Sequence, residues 1–148
     1  MSSEKPTVQP LYQSDSAALI LLSKPNILWL TWQKKAPSAI IQEVYEQLFR
    51  HMQHLQVKHI LIDIRQRGRA TDADETWMMQ EFAPRLMQQF KEGIYLAYLL
   101  GAQHYQELKE ESPNGTMESL SHLLSLHYFR EEQSALAWLG AKNQPVIL

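Results

Sequence analysis

The chemically richest part of the chain is the stretch HILIDIRQRGRATDADETW, from His59 to Trp77. Asp63 stands near the end of an apolar run, and Arg65, Arg67 and Arg69 follow at alternate positions. In an extended segment alternate side chains share one side, so the three guanidiniums are expected to project as a small basic comb. Guanidinium groups recognise carboxylates and phosphates through paired hydrogen bonds. Beyond them Thr71 is placed to cap a helix, and Asp72, Asp74 and Glu75 fill its positive first turn. Those acids are also positioned to neutralise the arginines. Internal salt bridging is therefore the first expectation for the comb, and an anion site the second. Asp63 reads first as a carboxylate that orients Arg65 or accepts N–H groups of the turn.

Other reactive residues are sparser. RGRATDAD contains one glycine and no lysine–hydroxyl pair, so it is not a P-loop. Of the six histidines, His51 and His54 share a helix face with His59 nearby, but no acidic partner stands at ligand spacing and no metal is expected. His104, followed by Tyr105 in GAQHY, is the candidate general base; no G-x-S-x-G elbow supplies it with a nucleophile. Trp77 falls beside the apolar stripe of its helix, either as rim packing or as an anchor for a partner. No cofactor is expected, and no constellation demands an enzyme.

The elements that must carry these residues follow from periodicity. ALILLS and NILWLTW, separated by Lys24-Pro25-Asn26, read as a β-hairpin, preceded by a short strand near Val8 to Gln13. Ile27, Trp29 and Thr31 alternate with Leu28, Leu30 and Trp32, and two apolar faces place that strand inside a sheet. Ile41, Val44, Tyr45, Leu48, Met52 and Leu55 recur at three and four, predicting a helix capped by Ser38. HILIDI is the next strand, with Ile60, Ile62 and Ile64 on one side and His59, Leu61, Asp63 and Arg65 on the other. A second helix opens at Thr71 or Asp72 and buries Met79, Phe82, Ala83, Leu86, Met87 and Phe90, with a kink or break at Pro84. GIYLAYLLG is a buried strand, followed by a helix over His104 to Glu111. A short helix from Thr116, a strand at HYFR and a helix ending near Gly140 complete the series. Helical crossovers imply parallel strands, so the chain reads as one α/β domain over 8–142, with an open mixed sheet, a polar disordered N-terminal tail at 1–7 and a C-terminal tail at 143–148.

Composition excludes several classes. Fourteen basic and sixteen acidic side chains leave a net charge of −2 over 148 residues, so no global basic field draws the protein to nucleic acid. Cysteine is absent, which removes disulfides, thiolate metal sites and a thiol nucleophile. The apolar runs AALILL and GIYLAYLLGA are too short to span a bilayer, and MSSEKPTVQP does not resemble a secretory signal. A cytoplasmic location is the expectation.

The series NILWLTWQ, HILIDIRQRG, TDADETWMMQEFAPRL, GIYLAYLL and YFREEQSALAWL resembles the STAS-like family of small bacterial proteins, over about Tyr12 to Leu139. The resemblance implies the fold of sporulation anti-sigma-factor antagonists: an open sheet with helices largely on one side, serving as a protein-interaction or small-ligand module. Those antagonists carry a phosphorylated serine where the central strand meets the next helix. Here that region is RGRATDAD, which has no serine, so any such modification falls on Thr71. The leading functional expectation is a non-enzymatic regulatory module that binds a protein partner through Arg65 to Trp77. A second is a small-ligand binder for an anionic metabolite, nucleotide or lipid, or a weak enzyme, with a cleft where Arg65, His104 and Tyr105 converge. A homodimer through the hairpin edge or through Val146 to Leu148 is a third.

Overall fold

A computed structural model describes residues 5–111 and 123–143. Six strands form one sheet in the order β1-β2-β3-β4-β5-β6. β1 (Val8–Gln13), β2 (Ala17–Leu22) and β3 (Ile27–Trp32) pair antiparallel. β4 (His59–Asp63), β5 (Ile94–Leu99) and β6 (Leu124–Phe129) continue the sheet in parallel from β3. α1 (Ser38–Leu55) joins β3 to β4, and α4 (Ala102–Glu111) follows β5. Between β4 and β5 the chain forms α2 (Asp72–Trp77), a π-helical turn (Met78–Phe82) and α3 (Ala83–Gln89) without interruption. α5 (Glu132–Lys142) closes the described fold.

The strand order explains the layering. From β3 to β6 each connection advances one strand in the same direction, so connections of one hand place their helices on one face. That face carries Leu28, Leu30, Trp32, Ile60, Ile62, Ile64, Leu96, Tyr98, Leu124 and Leu126, buried beneath α1, the π turn, α3 and α4. α5 leads to no further described strand and covers the opposite face, where Ala135 and Leu139 pack on Ile27, Leu61, Ala97 and Leu99. The two-faced burial of β3 and β4 agrees with their continuous apolar sequences. β1 is an outer strand, and its Pro10 and the register shift between Pro10 and Tyr12 are features that discourage pairing with another chain.

Three local expectations change. Pro37, not Ser38, occupies the cap position of α1, without a side-chain cap bond; its carbonyl accepts from the Ile40 and Ile41 N–H groups, each at 3.0 Å. β6 begins at Leu124, so Leu124 and Ser125 are strand rather than the end of the helix expected from Thr116. Thr116 itself and the apolar tail Val146 to Leu148 lie outside the described residues.

The third change concerns the helix around Pro84. Ala83 donates its N–H five residues back to the Met78 carbonyl. This widened turn lies just before Pro84, which has no N–H to give the Gln80 carbonyl and would clash with it in a regular α-helix. The widening rotates the preceding residues. Trp77 stacks on Phe82 at 5.6 Å, a contact between residues five apart, and Met78 joins the core while Met79 is 47% exposed. The expected stripe placed Met79 inside because it carried a regular helical period up to the disturbance expected at Pro84, whereas the widening begins at Met78.

Candidate functional site

The turn after β4 separates the three arginines instead of aligning them. Gly68 adopts φ +79°, a conformation costly for residues with a Cβ, and its N–H donates to the Ile64 carbonyl at 2.8 Å. The chain therefore curls, and the extended comb does not form.

Arg65 turns to the α5 face. It donates to Asp63 Oδ1 at 3.1 Å and Oδ2 at 2.8 Å, and to Glu132 at 3.0 Å; its backbone N–H also donates to Asp63 Oδ1. These hydrogen bonds, Asp63's first, raise the guanidinium pKa. Asp63 thus braces the turn, and Arg65, held by both carboxylates, links the end of β4 to the start of α5. Arg69 turns outward across the opposite layer, 2.6 Å from Glu111, 3.6 Å from Glu107 and 3.8 Å from Glu75. Among the described residues, only Glu75 of the acids expected at the helix start pairs with an arginine; Glu107 and Glu111 on α4 are the unforeseen partners.

Arg67 points inward and is 7% exposed. Its guanidinium lies 5.1 Å from the Trp32 ring centroid, and it donates to the Tyr45 hydroxyl at 3.5 Å and the Gly68 carbonyl at 3.4 Å. Both bonds are at the long limit of the interaction. Among the described residues no carboxylate reaches it.

Arg67 borders a cavity of about 320 Å³ between the start of α2 and α4, on the helix-covered face near the carboxyl ends of the strands. Ile41, Ile64, Met78, Leu108 and Leu126 give it apolar walls, and Tyr45, Tyr98, Tyr128, Asp74 and His104 supply polar groups. Asp74 is 4% exposed. Its backbone N–H donates to the Thr71 hydroxyl, which caps α2, while its carboxylate has no hydrogen bond or ion pair among the described residues. The Tyr45 and Tyr98 hydroxyls lie 3.4 Å apart. Burial first, then Tyr45, raises the Tyr98 phenol pKa; burial first, then Glu75, raises that of Tyr128. Both remain neutral hydrogen-bonding groups at physiological pH.

His104 has a buried Nδ1 with no hydrogen-bond partner among the described residues. Burial first, then the positive charge of Arg69, lowers its pKa below the ordinary 6.5. His59, buried on the other face against Tyr95 at 5.0 Å, is lowered by burial as well, with partial offset from the Lys142 backbone. The unfolded chain therefore binds protons at these sites more readily than the folded one, and stability is lost as pH falls. Denaturant midpoints should stay level above pH 6.5 and decline below it, before Glu46 and Glu92, also lowered from 4.5, begin to protonate. His104→Gln should remove part of the earlier decline; an unchanged profile would disprove its contribution.

The structure brings Arg67, Arg69 and His104 together at one cavity. The expected convergence of Arg65, His104 and Tyr105 does not occur: Arg65 belongs to the other face, and Tyr105 packs on the core with the Lys109 ammonium 5.6 Å from its ring. Trp77 is half-buried between Tyr45 and Phe82, so it is internal packing rather than an exposed anchor. Asp72 is exposed beside the capping Thr71, which is itself exposed. Sequence reasoning missed Tyr45, Tyr98 and Tyr128 as site residues and took Asp74 only as a helix-start acid. The available signal was a tyrosine hydroxyl on the core-directed face of each of three elements, α1, β5 and β6.

Among the described residues no group of side chains is arranged to hold a metal, and no helix is long and apolar enough to cross a membrane. No protein-family model, no curated protein and no solved structure matches the chain.

Proposed function

We propose that the protein binds a small organic carboxylate in the cavity between α2 and α4, with Arg67 as its counter-ion. The observation that carries this reading is a buried guanidinium that no carboxylate among the described residues reaches, beside a cavity of about 320 Å³. An uncompensated buried charge costs several kcal/mol, and an arriving anion would relieve that cost. The volume falls in the range of small-molecule sites, roughly 300–1,000 Å³. The surrounding acids, Asp74, Glu75 and Glu111, make a singly charged carboxylate a better match than a doubly charged phosphate. The apolar walls fit a hydrophobic body attached to that head group.

The protein-partner reading has less support, because Arg65 and Arg69 are engaged in ion pairs and Trp77 packs internally. Kinship with STAS-like proteins is proposed on the sequence resemblance alone; an open sheet with helices mostly on one face is compatible with it.

Thermal-shift measurements with phenylacetate, 3-phenylpropionate, amino acids and medium-chain fatty acids, each beside its methyl ester or amide, test the proposal. The acids should raise the melting temperature with concentration, as binding to the native state requires, and the neutral analogues should not. Equal shifts from acids and esters, or silence of every acid at millimolar concentration, would overturn it.

A further inference from the structure

We infer that the ligand carries an amine as well as a carboxylate: a zwitterion of the α-amino-acid type with a bulky apolar substituent, held by Arg67 at one end and Asp74 at the other. This rests on the carboxylate reading and adds the second half of the ligand. Both side chains are more than nine-tenths buried, both line the same cavity, and they do not form an ion pair with each other. Two opposite charges placed only to stabilise the fold would gain most by meeting, because buried charges need excellent pairing to offset their desolvation. Lining one cavity without pairing to each other, they are complementary to a molecule with separated opposite charges.

The rest of the lining agrees. Arg69 is surrounded by Glu75, Glu107 and Glu111, so the mouth carries an excess of negative charge that favours a ligand with an ammonium group over a bare anion. Tyr98, Tyr128 and His104 offer neutral hydrogen-bonding groups beside the charged ends. Ile41, Met78, Leu108 and Leu126 leave room for an apolar side chain. The cavity corresponds to roughly ten water volumes at about 30 Å³ each, the scale of an amino acid with a phenyl or branched aliphatic side chain.

The test is calorimetric titration of the full chain with L-phenylalanine, L-leucine and L-methionine, compared with 3-phenylpropionate, which lacks the amine, and phenethylamine, which lacks the carboxylate. At least one amino acid should bind ten-fold or more tighter than either truncated analogue. Asp74→Asn, which preserves size, should reduce that amino acid to the level of 3-phenylpropionate while leaving 3-phenylpropionate binding unchanged or improved. Arg67→Met should abolish binding of both. An amide NMR spectrum superimposable on wild type away from the cavity establishes that each variant is folded, and the wild-type ligand comparison needs no variant. If 3-phenylpropionate binds wild type as tightly as every amino acid, or Asp74→Asn leaves the ratio unchanged, the amine inference fails and the carboxylate site stands. If no carboxylate of any kind binds, both fail together.

Discussion

Phe82→Ala should lower the unfolding free energy by about 3–5 kcal/mol, the range for removing a buried aromatic ring. Phe82 is 1% exposed, with its ring centroid 5.2 Å from that of Tyr45, 5.6 Å from Trp77 and 6.2 Å from Phe49. It is the point where the π turn meets α1. Since a domain's whole stability is about 5–15 kcal/mol, the variant should approach the threshold of unfolding. Urea titration would read this as a lower midpoint at unchanged slope. Met79→Ala, three residues earlier, should stay within about 0.5 kcal/mol of wild type, because Met79 faces outward. A costly Met79→Ala beside a mild Phe82→Ala would contradict the widened helical turn. Tyr45 and Met78 line the cavity and touch or adjoin the Phe82 packing, so the deletion should also impair the site.

Arg67→Met should separate binding from stability. The charge-assisted contact to a carboxylate would be lost, and affinity for the best-bound acid should fall by about 100-fold or more, a change that lies within the roughly 2–5 kcal/mol of a truncated buried charge pair. The ligand-free protein should nevertheless keep its stability to within about 1 kcal/mol or gain some, because an apolar side chain of similar length removes a buried charge that no carboxylate among the described residues pairs. The lost contact between the guanidinium and Trp32, worth up to about 2 kcal/mol when desolvated, limits that gain. Chemical denaturation without ligand, beside titration with ligand, checks both halves. Severe destabilisation of the empty protein would make Arg67 a structural residue and remove the main support for a binding role.

Sequence pattern reached the layered sheet because its signals are local. Leu28, Leu30 and Trp32 alternate with Ile27, Trp29 and Thr31, and the strand lies inside the sheet with burial on both faces. Ile60, Ile62 and Ile64 do oppose Leu61 and Asp63. The pattern failed where one residue resets a period. Pro84 announced a disturbance, but its form was a widened turn that carries Trp77 and Met78 inward and Met79 outward. Gly68 similarly converts an alternating arginine series into a curl. The cavity was less legible still. Tyr45, Arg67, Asp74, Tyr98, His104 and Tyr128 come from six separate segments, and their convergence depends on packing among helices and strands, which leaves no trace in residue spacing.

The curled turn has a kinetic and entropic consequence. Arg65 is fastened to the layer beneath the sheet through Asp63 and Glu132, and Arg69 is fastened to α4 above it. Arg67, between them, is restrained from both sides before any ligand arrives. Its rotational freedom is already restricted in the folded chain, so association should demand little further ordering of the receptor. A flexible arginine on an open loop would lose that freedom at each encounter.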